Sequence, residues 1–369
     1  MQTNAIDLLT ELVSIPSPSG REGAASACLV DWLAGRGLEA RVDAAGNAVG
    51  VKGDGEREIL LLGHIDTFPG ELPVRREGDL LYGRGAVDAK GPLCAFAAAT
   101  AQVDVPAGWR VTVVGAVEEE CATSKGARHV LARRAQRAQP PVYGIIGEPS
   151  RWDRVTLGYK GRLLLDLILR APFAHSAGQA RLPAERGVDL WRAVEDYCAA
   201  LNAERGATRA FERLEPSLRR IASRDDGAFG EVEMSLGFRL PLDVAPAALE
   251  AGLAGVIAQA VDPAQTTPAI TLSTQFSGAE SAYKGGKANP LVRAFLAAIR
   301  EAGGRPRFVV KTGTSDMNVV GPRWPATPLV AYGPGDSALD HTPQEHTSLA
   351  EFSRSIEILE YVLHRLMET

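Results

Sequence analysis

Ionisable side chains stand directly after a strongly apolar stretch in EILLLGHIDTFPG, residues 58–70. Residues 59–62 have the composition of a strand that is covered on both faces, and His64 and Asp66 follow two residues apart. Because side chains alternate along a strand, these two should point the same way at its carboxyl end. The pair could bind a metal ion or move a proton, but a buried histidine with satisfied hydrogen bonds gives the same pattern.

Further carboxylates follow other segments of the same region. Asp88 lies among glycines in LYGRGAVDAKG, residues 118–120 end GAVEEE, and Glu148 precedes the proline of IIGEP. Taken singly, each is more typical of a solvated turn. Ligands of open α/β sheets, however, bind outside the carboxyl ends of the strands, and carboxylates gathered there would repel one another. Together with His64 they predict a divalent cation such as zinc, cobalt or manganese.

The elements that must position these residues alternate between strand and helix from residue 58 to residue 148. This alternation predicts an α/β fold with a doubly wound, mostly parallel sheet. From residue 161 the pattern becomes β-α-β-β-α-β, which is typical of a ferredoxin-like α+β domain. We therefore predict a discontinuous catalytic domain, residues 1–160 and 280–369, with an inserted domain at residues 161–279.

Composition excludes several classes of protein. The 369 residues are 45% hydrophobic and 23% charged, as in ordinary globular proteins. A net charge of -5 argues against general nucleic-acid binding, and no stretch reaches the ~18 apolar residues of a membrane span. Asp7 and Glu11 interrupt the amino-terminal apolar pattern, which argues against a signal peptide. We expect a cytoplasmic protein, because the cysteines are scattered without a CxxC pair: Cys28, Cys94, Cys121 and Cys198.

Six motifs, in this order, resemble those of the M20 family of dinuclear zinc aminoacylases and peptidases: GHIDT, YGRGAVDAKG, VEEE, GEPS, AHSA and LDHTPQE. The resemblance extends over nearly the whole chain. It implies two divalent metal ions per subunit, zinc or cobalt. One ion would be held by His64, Glu148 and Asp88. Glu120 and His341 would hold the other, and Asp88 would bridge the two.

The resemblance also implies catalytic roles. Asp66 would orient the imidazole of His64. The family has an Asp-Glu-Glu triplet where this chain has three glutamates at 118–120, so Glu119 becomes the general base, with a neighbouring glutamate as the alternative. His175 in AHSA would reach the active site of a partner subunit. A homodimer that associates through the inserted domain, which also acts as a lid, is therefore implied.

Two residues are candidates for binding the substrate. Arg239 in GFRLPLD matches a family arginine that can bind a carboxylate, although an ordinary salt bridge on a strand is equally compatible. Thr314 in KTGTSDMN lies in a segment that resembles a loop lining the family's cleft. An acidic protein substrate would also favour an arginine-lined entrance, for which the chain offers five arginines: Arg133, Arg134, Arg137, Arg181 and Arg186.

The segments GAVEEECATSKGA and KTGTSDMN resemble most the family branch that releases lysine or ornithine from a small acidic amino-group carrier protein. In that branch the amine is joined to the carrier's C-terminal glutamate, and the enzyme hydrolyses this amide. One alternative is a small-molecule deacylase that acts on acetylornithine or succinyl-diaminopimelate. Another is a metal-binding scaffold without catalytic activity. The presence of all the predicted metal ligands and of the predicted general base argues against this alternative.

Overall fold

The structure, a computed structural model, describes residues 2–135, 139–172, 181–260 and 270–368. The helices are α1 (Gln2–Ser14), α2 (Gly23–Ala34), α3 (Lys90–Gln102), α4 (Lys125–Arg134), α5 (Pro183–Glu204), α6 (Pro246–Ala260), α7 (Pro290–Glu301), α8 (Asp316–Val320) and α9 (Leu349–Met367). The strands are β1 (Glu39–Val42), β2 (Ala48–Lys52), β3 (Arg57–His64), β4 (Arg75–Glu77), β5 (Leu80–Tyr82), β6 (Trp109–Ala116), β7 (Tyr143–Gly147), β8 (Arg154–Tyr159), β9 (Gly161–Pro172), β10 (Glu215–Asp225), β11 (Phe229–Leu240), β12 (Thr271–Glu280), β13 (Tyr283–Lys284), β14 (Arg307–Lys311), β15 (Leu329–Tyr332) and β16 (His346–Ser348). Among these described helices, each is too short or too polar to cross a membrane.

Within the described residues, the largest sheet has nine strands, in the order β1-β2-β6-β3-β7-β15-β8-β13, with β14 paired to β8. Its central strands β6, β3, β7 and β15 run parallel, which confirms the predicted mostly parallel α/β sheet. The edge hairpin of β1 and β2 is antiparallel and joins β6. The alternation of strands and helices does not predict this hairpin, because β1 is short and largely exposed and so lacks an apolar pattern.

Strand β3 and helix α3 pack closely where the site begins. Residues 59–62 of β3 are buried, as expected for a strand between β6 and β7 with both faces covered. A Cβ at Gly147 would lie 2.9 Å from the Cα of Gly63 and 2.9 Å from the ring of Phe96 on α3. Glycines at these positions therefore let the helix approach the two strands just before His64 and Glu148.

The chain divides into two compact units. The first consists of Met1–Gly158, Lys284–Val310 and Ser315–Thr369, and the second of Tyr159–Tyr283 and Lys311–Thr314. In the first unit, α3 and α9 contact each other and share a core with α1 and α7. Ile59 and Leu61 of β3 belong to this core, and close packing there restricts where the side chains at the carboxyl end of the strand can lie.

The second unit contains an antiparallel sheet in the order β10-β11-β9-β12. Strand β9 buries Leu163, Leu165 and Leu167, while Asp166 and Ile168 on its other face are exposed. Helices α5 and α6 pack on the buried face. The order β9-α5-β10-β11-α6-β12 confirms the predicted ferredoxin-like α+β fold of this segment.

Candidate active site

His64 is the last residue of β3, and its side chain is 2% exposed. Its Nδ1 lies 2.9 Å from the backbone carbonyl oxygen of Asp66, and its Nε2 lies 3.1 Å from Oδ1 of Asp88. A carbonyl oxygen can only accept, so Nδ1 carries a proton in this contact. In the neutral imidazole, Nε2 is then the nitrogen with a lone pair for a cation.

Asp88 lies between two imidazoles. Its Oδ1 is 3.1 Å from Nε2 of His64, and its Oδ2 is 3.0 Å from Nε2 of His341. The same nitrogen of His341 is 3.0 Å from Oε1 of Glu120. Ligand atoms of His64, Asp88 and Glu120 all lie within 4.8 Å of one another. Four residues that the family resemblance predicts as ligands of the two metal ions are therefore brought together.

The carboxylate of Asp66 is fully buried and has several donors. It accepts hydrogen bonds from the backbone N–H of Glu119 and of Glu120, each at 3.1 Å, and from Oγ of Ser19 at 2.7 Å. Its Oδ1 lies 3.5 Å from Nδ1 of His64. Asp66 thus orients His64 chiefly through its backbone oxygen, while its side chain fixes the turn that presents the two glutamates.

Negative charge is crowded in this cluster. Burial raises the pKa of Glu119 and of Glu148 well above the ordinary carboxyl range. Nearby carboxylates raise both pKa values further, and for Glu119 these include Asp316. Burial and the charge of Asp88 also raise the pKa of Glu120. Against the effect of burial, hydrogen bonds from the two imidazoles hold the pKa of Asp88 below its ordinary value. The imidazole and carboxylate donors fit a divalent cation, which would balance this charge.

His341 is held by an aromatic stack as well as by carboxylates. Its ring lies parallel to that of Phe68, with 4.3 Å between centroids and 12° between planes. Hydrogen bonds to Asp88 and Glu120 raise the pKa of His341 to about 10. Sequence reasoning does not single out Phe68, although it directly follows the GHIDT motif, and this position is the only local signal for it.

Glu118 and Glu119 have different surroundings. The Glu118 carboxylate accepts hydrogen bonds from Oγ1 of Thr123 at 2.8 Å and from Nζ of Lys125 at 3.1 Å. Its backbone has a left-handed φ of 59°, and its N–H donates to Oε1 of Glu22 at 3.2 Å. Glu119 is 8% exposed and lies among the site carboxylates. Glu119 therefore lies among the predicted metal ligands, whereas the side chain of Glu118 bonds residues outside that group.

The predicted substrate-binding residues Arg239 and Thr314 meet in the second unit. Nη1 of Arg239 donates to Oγ1 of Thr314 at 2.8 Å, and that hydroxyl donates to the backbone oxygen of Lys160 at 2.9 Å. The threonine therefore orients the guanidinium group. His175, the predicted residue from a partner subunit, lies outside the described residues.

Arg134 does not belong to an arginine-lined entrance. Its Nη2 and Nε lie 2.6 and 3.1 Å from the two carboxylate oxygens of Glu58. Glu58 is 3% exposed at the beginning of β3, so this pair fixes the end of α4 to the sheet. Arg181 pairs with Asp189 in the second unit, and Arg137 lies outside the described part of the chain.

The chain is similar to proteins of known family. The model of "Peptidase family M20/M25/M40" matches residues 60–365. The "[LysW]-lysine hydrolase" of Deinococcus radiodurans is 44% identical over 367 residues, which are 98% of this chain and 97% of the relative. The "[LysW]-lysine/[LysW]-ornithine hydrolase" of Saccharolobus solfataricus is 29% identical over 95% of this chain and 92% of the relative.

A solved structure shares the fold. The M20 family metallo-carboxypeptidase of Sulfolobus solfataricus covers 99% of both chains with a TM-score of 0.80 and 17% sequence identity. The match of the family model extends over most of the sequence, and it includes residues 60–64 of the strand that ends in His64 and the segment that carries His341. The chain belongs to peptidase family M20/M25/M40.

Proposed function

We propose that this chain is a metal-dependent amide hydrolase that releases lysine, ornithine or both from the C-terminal glutamate of an amino-group carrier protein in lysine and arginine biosynthesis. The observation that carries the reaction is the buried group of His64, Asp88 and Glu120, with ligand atoms within 4.8 Å of one another, beside Glu119. The substrate is supported by the relative named as a [LysW]-lysine hydrolase, 44% identical over 98% of this chain. The scattered cysteines suit a cytoplasmic location.

The proposed ligands form two sets that share one carboxylate. His64, Glu148 and Asp88 would hold one zinc or cobalt ion. Glu120 and His341 would hold the second, together with Asp88. Such ions supply a Lewis acid for the substrate carbonyl and lower the pKa of water. The two oxygens of Asp88 already lie next to different imidazoles, at 3.1 and 3.0 Å, which supports a bridging role.

Glu119 is the proposed proton carrier. Its carboxylate would accept a proton from the attacking water as the new C–O bond forms. The same proton would then pass to the amide nitrogen as the C–N bond breaks, leaving the carrier's glutamate carboxylate and a free amine. Asp66 holds the backbone of Glu119 in place for both transfers.

Arg239 and Thr314 are proposed to bind a carboxylate of the substrate. The planar guanidinium group can offer two parallel N–H donors to a carboxylate. Its hydrogen bond to Thr314, 2.8 Å long, restricts its orientation before the substrate arrives. This arrangement supports recognition of an amino acid that keeps its carboxylate.

The substrate assignment is tested by comparing kcat/KM for four amides: carrier-linked lysine, carrier-linked ornithine, acetylornithine and succinyl-diaminopimelate. We expect at least one carrier substrate to exceed both small molecules by about 100-fold or more, since a dedicated site discriminates through contacts that a small analogue lacks. A short peptide with the same glutamate–lysine amide is the matched control, because it keeps the scissile bond and lacks the folded part of the carrier. A preference for acetylornithine would contradict the proposal.

We also propose that the protein is a homodimer in which His175 completes the partner's site as a donor to the tetrahedral oxyanion. A mixture of His175→Ala and Glu119→Gln chains should then recover about a quarter of the wild-type activity, because half of the dimers are mixed and each has one complete site. Each variant mixed with itself is the control. Failure to recover activity, with mixed dimers detected by mass spectrometry, would contradict the shared site.

A further inference from the structure

Glu345 is a buried carboxylate that touches the segment carrying Asp88. It stands four residues after His341 and is 1% exposed. Its Oε1 accepts three backbone N–H hydrogen bonds, from Gly85 at 2.8 Å, Val87 at 3.1 Å and Asp88 at 3.2 Å. One carboxylate oxygen therefore organises the whole turn that presents Asp88.

The second oxygen of Glu345 has an arginine partner. Oε2 lies 2.7 Å from Nη1 of Arg84, whose side chain is 12% exposed. Arg84 also donates through Nε to the backbone oxygen of Gly70 at 3.0 Å. Because the carboxylate is out of water, these donors offset its desolvation. A glutamine here keeps only one acceptor oxygen, so either Nη1 of Arg84 or the N–H groups of the turn would lose the acceptor that Glu345 provides.

The backbone already joins the two segments without this side chain. Strand β16, which follows Glu345, pairs antiparallel with β5, which precedes the turn. The N–H of Gly83 also donates to the backbone oxygen of Glu345 at 3.3 Å. The carboxylate is therefore not needed to bring the segments together, and its bonds act on the conformation of residues 85–88.

That conformation decides where the Asp88 carboxylate lies. Asp88 is 3.1 Å from Nε2 of His64 and 3.0 Å from Nε2 of His341. Groups that share a cation must be held to within about 0.5 Å of their working geometry. A turn that is free to shift would move Asp88 away from both imidazoles at once.

We propose that Glu345 is a positioning residue that fixes Asp88 against His341, and so sets the spacing of these two groups that would hold the metal ions. The proposal rests on the metal roles proposed above for Asp88 and His341. Glu345 acts through the turn at residues 85–88 and does not itself hold a metal ion or the substrate.

The test compares Glu345→Gln with Glu58→Gln. Both glutamates are buried and pair with an arginine, Glu345 with Arg84 at 2.7 Å and Glu58 with Arg134 at 2.6 Å. Glu58 lies six residues before His64 on β3, about 20 Å away at 3.3 Å per residue. It is thus a matched control for the loss of a buried ion pair away from the site.

Four measurements are made on each variant: zinc and cobalt affinity by chelator competition, the Tm of the metal-free protein, hydrogen exchange of the amides at residues 85–88, and steady-state kcat and KM. Glu345→Gln should weaken metal affinity by about 10–100-fold, as is usual when a partner of a ligand is lost. It should also speed exchange at residues 85–88 and lower kcat more than it changes KM. Glu58→Gln should lower Tm without changing metal affinity.

If Glu345→Gln bound metal as tightly as wild type, the proposed role of Glu345 would be wrong. It would also be wrong if Glu58→Gln lost as much metal affinity as Glu345→Gln. Wild-type protein that binds neither metal would instead overturn the metal roles themselves. If Glu345→Gln does not fold, Arg84→Met tests the role of Glu345 instead, because it removes the ion pair and keeps a long side chain. It should weaken metal affinity in the same direction, and an unchanged affinity there would also overturn the proposal.

Discussion

Glu119→Gln should lower kcat by about 10²–10⁴-fold, the range that general acid–base catalysis contributes, while metal binding is retained. Glutamine has nearly the shape of glutamate but cannot take a proton from water and return it to the leaving amine. Because the Glu119 backbone N–H, and not its side chain, bonds Asp66, the turn should stay in place. Steady-state kinetics and metal content of the same preparations measure the two effects separately.

Glu118→Gln is the matched control for this prediction. The Glu118 carboxylate is 19% exposed and bonds Thr123 and Lys125, so its loss should change kcat by only a few fold, about 1 kcal/mol or less. If Glu118→Gln lost most of its kcat while Glu119→Gln stayed active, the general base would be Glu118 and not Glu119. Retained metal with abolished hydrolysis in Glu119→Gln would also show that turnover belongs to this site, which a non-catalytic scaffold could not explain.

The fold and the place of the site follow from local sequence patterns. The apolar residues of β3 predict a strand covered on both faces, and the position of His64 at its end is then fixed by the direction of the strand. Glu120 and Glu148, which follow β6 and β7, could be predicted for the same edge in the same way, whereas Asp88 lies in the turn before α3. The roles of these residues are predictions, which the variants of Glu119 and Asp88 test.

Contacts between distant parts of the chain could not be predicted in this way. Glu345 lies 257 residues from Asp88 in sequence, and nothing in its own segment shows that its carboxylate binds the turn before α3. The stack of Phe68 on His341 is likewise long-range. Both are decided by tertiary packing, for which a single sequence has no periodic signal.

Arg134 shows the same limit for charged residues. Its sequence neighbourhood, with Arg133 beside it, is equally typical of a solvated basic surface. Only the structure shows that Glu58, buried at the other end of β3, is its partner. A buried carboxylate needs such a partner, so Arg134 contributes to the position of α4 and is not available to a carrier protein.

Asp88→Asn should lower metal affinity by more than about 100-fold, which is the upper end of the losses seen when only an outer partner of a ligand is removed. Both oxygens of Asp88 have an imidazole neighbour, His64 at 3.1 Å and His341 at 3.0 Å. An amide keeps one oxygen and places an NH₂ group, which cannot bind a cation, where the other stood. Equilibrium dialysis against zinc or cobalt, followed by metal analysis, measures the stoichiometry and the affinity.

Asp66→Asn and Asp79→Asn are comparison variants that should weaken metal affinity less than Asp88→Asn does. Asp66 accepts from the N–H groups of Glu119 and Glu120 and is not a proposed ligand, so its loss should cost about 10–100-fold in affinity. Asp79 bonds Ser348 and Ala350 at the start of α9, and its loss should leave affinity unchanged. Two ions bound tightly by Asp88→Asn would contradict the bridge, because a carboxylate shared by both ions cannot be replaced by an amide without weakening both.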